Sequence, residues 1–278
     1  MTKAFLEALY YYSNMRSIQK RLIIFDLDGT LAESKSPMDN EMVRLLDALL
    51  GRRYIAIISG GAYTQFEQQV LAPFARSGVN ENLDKLFLFP TCGTALYRFS
   101  SGKWSCVYEE RLSPQEQNRI LQSFGTVFAT LSYQHPPVLY GDVIENRGSQ
   151  ITFSALGQKA PATEKQKWFS LYDQTRHDIA RTLDELLPDF EVHMGGLTSI
   201  DVTKKGLDKG YGIRQAAKYL NIAKKEMIFV GDALFPGGND YAAIREGIDT
   251  IAVKNPTETK AVIRKFLKQK PPEGAYKR

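Results

Sequence analysis

The stretch Leu22-Ile23-Ile24-Phe25-Asp26-Leu27-Asp28-Gly29-Thr30 constrains this chain most. It begins as a short apolar run and breaks abruptly into carboxylates, a glycine and a hydroxyl. An apolar run of that length, closed by a turn signal, reads as a strand buried on both faces of a parallel sheet. Asp26 and Asp28 then fall just past its carboxyl end, where open α/β sheets bind ligands. Acids that close repel one another in a low-dielectric site unless a cation or a proton is shared. The stretch therefore asks for a metal, and the rest of the chain should supply the other ligands.

Two more apolar runs repeat the pattern. Tyr54-Ile55-Ala56-Ile57-Ile58 stops at Ser59-Gly60-Gly61, and Met227-Ile228-Phe229-Val230 stops at Gly231-Asp232. Between and around them lie helical periodicities. Asp39 is placed as an N-cap before Met42, Val43, Leu45, Leu46, Leu49 and Leu50, and a further helix starts at Tyr63. Leu86-Phe87-Leu88-Phe89 is another strand, closed by Pro90. Alternating strands and helices predict an α/β fold with a doubly wound, Rossmann-like parallel sheet.

After Cys92-Gly93 the alternation stops. Residues 95–110 read as a hairpin carrying Tyr97, Trp104 and Tyr108. Ser113-Pro114-Gln115-Glu116 carries an N-cap, a first-position proline and a capping-box glutamate. A long helix is expected over about 163–187, with short strands around Arg147-Gly148-Ser149 and Gly195-Gly196. These features predict an inserted α+β cap over 94–203. The core is then 1–93 plus 204–278, with 1–20 a short helix or extension and 269–278 a flexible tail. A chain of 278 residues is comfortable for such a two-domain plan.

Composition narrows the function. Lys and Arg exceed Asp and Glu by five, which for most of those charges reads as a basic surface more than as a site for an anionic ligand, and no nucleic-acid motif accompanies it. The cysteines, Cys92 and Cys106, and the scattered His135, His177 and His193 make no zinc spacing. So few thiols, and no apolar run long enough to span a bilayer, predict a reduced, cytoplasmic protein without a membrane anchor.

The strand ends converge on one sheet edge, so Asp26, Asp28, Ser59, Asp232 and Asp240 can meet there, with Lys209 at the return from the insert. Carboxylates and a carbonyl suit magnesium, and an acid set with magnesium, one lysine and one hydroxyl suits phosphoryl transfer. Each piece alone is bland. Asp-x-Asp occurs in surface turns and in metal-dependent nucleotide-sugar transferases, Ser59-Gly60-Gly61 is a turn, Lys209 one lysine among several, and Gly237-Gly238-Asn239-Asp240 a glycine turn. In this order, each after a strand or at a helix start, they reinforce one another.

The ordered set resembles the haloacid dehalogenase superfamily of phosphotransferases, in the class with a large α+β cap between the serine and lysine motifs. Phe89-Pro90 with Gly93, Gly195-Gly196 with Ser199-Ile200-Asp201-Val202, and Gly231-Asp232 with Pro236-Gly237-Gly238-Asn239-Asp240 make it most similar to the eukaryotic-type phosphomannomutases. The resemblance implies that Asp26 is the nucleophile and Asp28 the general acid and base. It implies that Mg2+ is held by Asp26, the Asp28 carbonyl and Asp232, with Asn239 and Asp240 completing that shell. Ser59 and Lys209 would hold phosphoryl oxygens, and Thr30, Gly60, Arg147, Lys165, Ser199 and Asp201 would line the substrate site. A homodimer through the cap is also implied.

The chain departs from that family at the grip on a second phosphate. Arg147 matches the first of three cap arginines, but the second falls at Gln158 and the third at Lys165, and a core arginine falls at Lys35. Losing a bidentate arginine costs about 1.5–3 kcal/mol of charge-assisted bonding. The expectation is therefore a phosphatase of a phosphorylated sugar or similar metabolite. A true phosphomannomutase is the alternative, and a non-catalytic phosphosugar-binding protein is the alternative of another class.

Overall fold

The computed structural model describes residues 20–79 and 81–271. The expected N-terminal helix or extension and most of the expected tail lie outside them. In chain order the core begins with β1 (Leu22–Phe25), α1 (Asn40–Leu50), β2 (Tyr54–Ile58) and α2 (Tyr63–Phe66). A π-helical turn, Glu67–Leu71, joins α2 to α3 (Ala72–Ser77), followed by β3 (Leu86–Phe89), β4 (Ala95–Ser100) and β5 (Lys103–Glu109). The insert supplies α4 (Pro114–Thr130), β6 (Ile144–Asn146), β7 (Gln150–Ser154), α5 (Ala162–Leu186), β8 (Phe190–Gly195) and β9 (Ser199–Lys204). The chain returns to the core with α6 (Lys209–Leu220), β10 (Met227–Gly231), α7 (Tyr241–Arg245), β11 (Asp249–Ala252) and α8 (Pro256–Lys268).

The large sheet has the order β11-β10-β1-β2-β3-β4-β5. From β11 to β3 it is parallel, as the apolar runs predict. Successive side chains of β1 enter opposite faces. Ile23 and Phe25 pack with Met42 and Leu46 of α1, Phe74 of α3 and Ile263 of α8, whereas Leu22 and Ile24 pack with Ile213 and Ala216 of α6. Both faces being covered is why β1 reads as an unbroken hydrophobic run. The register aligns Phe25 with Ile57 on one side and Val230 on the other. The residues that follow, Asp26, Ser59 and Asp232, consequently leave the sheet at one edge.

One boundary differs from the sequence expectation. The 95–110 hairpin is not part of the cap: β4 pairs antiparallel with β3, and β5 with β4, so both extend the core sheet. Phe99 and Trp104 pack against the core cluster that holds Phe25. The hairpin's apolar side chains thus have core sheet to cover, and the insert proper starts after Glu109. The cap is a separate antiparallel sheet, β6-β7-β9-β8, with α4 and α5 packed on it around Phe124, Phe153, Ile179 and Ile200. Ser113 forms the expected capping box, accepting from the Glu116 amide while Glu116 accepts from the Ser113 amide. The long helix α5 is kinked at Tyr172, which has non-helical φ −131° and ψ 16°.

The turn leaving β3 fixes α6. Thr91, Cys92 and Gly93 all have positive φ, and a Cβ on Gly93 would stand 2.3 Å from Gly212 Cα. Only glycine permits that backbone approach. It seats the N-terminal end of α6, and therefore Lys209, under the sheet edge. Asp208 caps the helix by accepting from the Tyr211 amide at 3.0 Å.

Candidate active site

The sheet edge gathers the acids that the sequence singles out. An oxygen from each of Asp26, Asp232 and Asp240 lies within 4.8 Å of the others. Lys209 Nζ donates to Asp26 Oδ1 and to Asp240 Oδ1, both at 2.6 Å, and all three side chains are buried. Burial alone would lower the lysine, but Asp240 and Asp26 outweigh it and hold the ammonium above its ordinary range. Asp26 is pushed well above the usual carboxylate range, first by burial and then by Asp240 and Asp232, against the pull of Lys209. Asp232 is raised too, by burial and then Asp240. The cluster thus carries more negative charge than its one lysine can balance. Its donors are all hard oxygens, the set that a magnesium ion takes, so the residues fit that ion.

Asp240 is a support as well as a candidate ligand. Its Oδ1 accepts from Lys209 and its Oδ2 from the Ala233 amide at 3.0 Å. Asn239 is exposed on the loop beside it. Gly29, with φ +84°, is required at its position, because a Cβ there would stand 2.4 Å from Asp232 Oδ2. The buried Thr30 hydroxyl donates to Asp232 Oδ1 at 3.5 Å, so Thr30 orients that carboxylate.

The Asp28 carboxylate stands apart from this cluster. It accepts from the Lys35 amide at 2.6 Å, from Gln65 Nε2 at 2.7 Å and from Gln69 Nε2 at 3.2 Å. Sequence reasoning missed both glutamines. They are four residues apart beyond the Ser59 loop, and Gln69 lies in the π-helical turn, a distortion that often marks functional positions. That i, i+4 amide pair facing a strand-end acid was the available signal.

Ser59 is buried at the end of β2 and its hydroxyl accepts from the Gly61 amide at 3.1 Å. The Gly60 carbonyl meets the cap, accepting from Arg147 Nη1 at 2.7 Å and Gln150 Nε2 at 3.3 Å. Arg147 also donates from Nε to Glu145 at 2.8 Å and forms an ion pair with it at 2.7 Å. Lys35 crosses from the core to donate to the Gln158 carbonyl at 2.6 Å. Burial, then Lys165 and Arg147, lower the Lys35 ammonium to about 8. Burial also lowers Lys165, against the attraction of Asp28. Lys35 therefore feels the charges of Lys165 and Arg147, and both lysines feel Asp28. Ser199 pairs with Ser154 at 2.6 Å, and Asp201 accepts from Thr152 at 2.6 Å. A Cβ on Gly60 would lie 3.5 Å from Asp201 Oδ2, so this cap carboxylate reaches the core loop.

A doubly wound core whose strand ends present an aspartate cluster, a serine and a buried lysine beneath an α+β cap defines a phosphotransferase of the haloacid dehalogenase fold. Solved structures agree on the fold: the IMP-nucleotidase from Plasmodium falciparum superimposes with TM-score 0.69 at 17% identity, covering 94% of this chain and 71% of that one. A haloacid dehalogenase-like hydrolase from Bacteroides thetaiotaomicron gives TM-score 0.58 at 14% identity, covering 89% and 99%. Within that class, the family model "Eukaryotic phosphomannomutase" matches residues 42–269, and the chain belongs to that family. The Schizosaccharomyces pombe phosphomannomutase is 29% identical over 259 residues, covering 91% of this chain and 96% of its own. The Encephalitozoon cuniculi phosphomannomutase is 27% identical, covering 90% and 95%. The protein is thus a phosphatase or phosphotransferase enzyme. Among the described residues no helix is long and apolar enough to cross a membrane.

Proposed function

We propose that the enzyme interconverts the 1- and 6-phosphates of a hexose such as mannose, with an aspartyl-phosphate on Asp26. The observation that carries this reading is the set of cations around the cleft. Lys35 from the core and Arg147 from the cap converge on Gln158 Oε1, each at 3.3 Å, and the charge of Lys165 reaches Lys35, which supplies cations for a second phosphate group. Membership in the phosphomannomutase family supports it, and supports it better than the hydrolase expected from the sequence.

Each residue has a role in the transfer. Lys209 occupies Asp26 Oδ1, leaving Oδ2 to attack phosphorus. The new bond joins that oxygen to phosphorus as the bond to the sugar oxygen breaks, and the electron pair leaves with the sugar. Asp28 delivers the proton that the departing oxygen takes. After the sugar bisphosphate reorients, Asp28 removes a proton from the incoming hydroxyl and the phosphoryl group returns. Ser59 and Lys209 hold the phosphoryl oxygens. Magnesium, held by Asp26, Asp232 and the Asp28 carbonyl, would neutralise charge on the transferred group. The closed cap would keep water from the phosphorylated aspartate.

A second reading, hydrolysis of a sugar monophosphate, is favoured by Gln158. This neutral amide stands where the family resemblance places an arginine, and its oxygen accepts from both Lys35 and Arg147. A 31P NMR time course separates the two. With mannose 1-phosphate, magnesium and a trace of hexose 1,6-bisphosphate, the mutase reading expects mannose 6-phosphate with little free phosphate. Inorganic phosphate as the main product would replace it with the hydrolase reading.

A further inference from the structure

A chain of hydrogen bonds runs from the catalytic core loop into the cap and ends on Asp201. It starts at the Gly60 carbonyl, next to Ser59. That carbonyl can only accept, so the nitrogen of the Gln150 amide faces it, at 3.3 Å. The same nitrogen donates to Thr152 Oγ1 at 2.8 Å. Thr152 therefore spends its single proton on Asp201 Oδ1, at 2.6 Å. The direction of every bond is fixed by the first acceptor.

The residues are built in. Gln150 is fully buried, and Thr152 is 1% and Asp201 7% exposed. Among the described residues Gln150 Oε1 has no hydrogen-bond partner, a cost that an apolar side chain of similar size would avoid. A position that served packing alone would hold the apolar residue. The amide is explained by its donors. At the far end, Asp201 Oδ2 lies in the seam between core and cap: a Cβ on Gly195 would approach it to 2.7 Å and one on Gly60 to 3.5 Å.

We propose that Thr152, backed by Gln150, is a positioning residue that makes Asp201 a one-way acceptor for a hydroxyl of the substrate sugar and ties that acceptor to the core loop. With Oδ1 taken by the threonine proton, Oδ2, in the seam by Gly60 and Gly195, is the Asp201 oxygen left to accept from the substrate. It selects a hydroxyl donor and rejects a phosphate oxygen. Gly60 O is also the acceptor of Arg147 Nη1, at 2.7 Å. One core carbonyl thus anchors both the sugar-reading chain and a cation of the cap, and separating cap from core would release both together. Sugar recognition and cap closure become one event.

This inference rests on the phosphosugar reading, and its test keeps the two apart. The full chain is assayed with mannose 1-phosphate and with p-nitrophenyl phosphate, which has a phosphoryl group and no sugar hydroxyls. The readout is the ratio of the two kcat/KM values for wild type, Thr152→Val, Thr152→Ser and Gln150→Met. Valine keeps the shape and removes the proton; serine keeps the proton. Thr152→Val is expected to lower the ratio roughly tenfold to a hundredfold, the scale of a misplaced positioning contact. Thr152→Ser is expected to retain most of it, and Gln150→Met to fall in between. An unchanged ratio in Thr152→Val, whether or not both activities fall together, overturns the proposal. A wild type that does not prefer mannose 1-phosphate overturns the sugar reading itself, and with it this inference, before any variant is made.

Discussion

Replacing Lys209 with methionine removes the one ammonium among Asp26, Asp232 and Asp240 while keeping the length of the side chain. Lys209 is 1% exposed and makes bonds of 2.6 Å to Asp26 and to Asp240. Each is charge-assisted, but the pair also carries a desolvation penalty, so the two do not simply add. Breaking a buried pair by removing one partner costs about 3–5 kcal/mol, because the charges left behind stay unpaired. The loss depends on pH. Asp26 is held above the ordinary aspartate range even beside the lysine, and without it the carboxylate rises further. Between the ordinary aspartate range and about pH 8 Asp26 is protonated in both folded proteins and its share of the loss is constant; as pH rises through about 8 the wild type ionises Asp26 beside the lysine, the variant does not, and the loss grows. Urea unfolding of wild type and Lys209→Met in EDTA, from neutral pH to above about 8, measures this. Asp26→Asn in the Lys209→Met background is expected to recover part of the stability. A loss under about 1 kcal/mol above about pH 8, or one that shrinks as pH rises through it, would refute the buried ion cluster as described.

Asp26→Asn alone is expected to abolish phosphoryl transfer. It is also expected to flatten the decline in stability of the metal-free protein above the ordinary aspartate range, since a carboxylate raised in the folded state destabilises that state once ionised; a denaturation series against pH checks it. Lys35 should lose its charge as pH rises through about 8, so binding of a hexose bisphosphate should weaken across that range in calorimetric titrations. Lys35→Arg, which keeps its charge, should remove the dependence. Gly29→Ala puts a Cβ 2.4 Å from Asp232 Oδ2 in a backbone of φ +84°, costing roughly 1–2 kcal/mol of strain and displacing the carboxylate. The magnesium concentration giving half-maximal p-nitrophenyl phosphate hydrolysis should then rise about tenfold or more, and an unchanged requirement would contradict the role given to Asp232.

The core was legible because its strands are buried on both faces. β1, β2, β3 and β10 each read as an apolar run, and each ends in the polar residue that the site uses or in the turn that seats it. The cap boundary was misread because a hairpin signal is local. Nothing within 95–110 states that β4 will pair with β3, and that pairing decides which sheet owns the hairpin. Within the site, Asp26, Ser59, Lys209, Asp232 and Asp240 announced themselves by following strands or opening helices. Gln65, Gln69, Gln150 and Thr152 did not, because neutral polar residues on helices and strands look the same whether they face solvent or a carboxylate. Their roles come from contacts distant in sequence, across 37 residues for Gln65 with Asp28 and 49 for Thr152 with Asp201.

The proposed transfer turns on Asp26, and trapping its phosphorylated form tests that most directly. The enzyme is mixed with excess mannose 1-phosphate carrying 32P and magnesium, quenched in acid within the first turnover, digested and mapped by mass spectrometry. The expected result is a phosphoryl group on the peptide that contains Asp26, absent in Asp26→Asn. Label on another residue, or turnover that proceeds in Asp26→Asn, would contradict it.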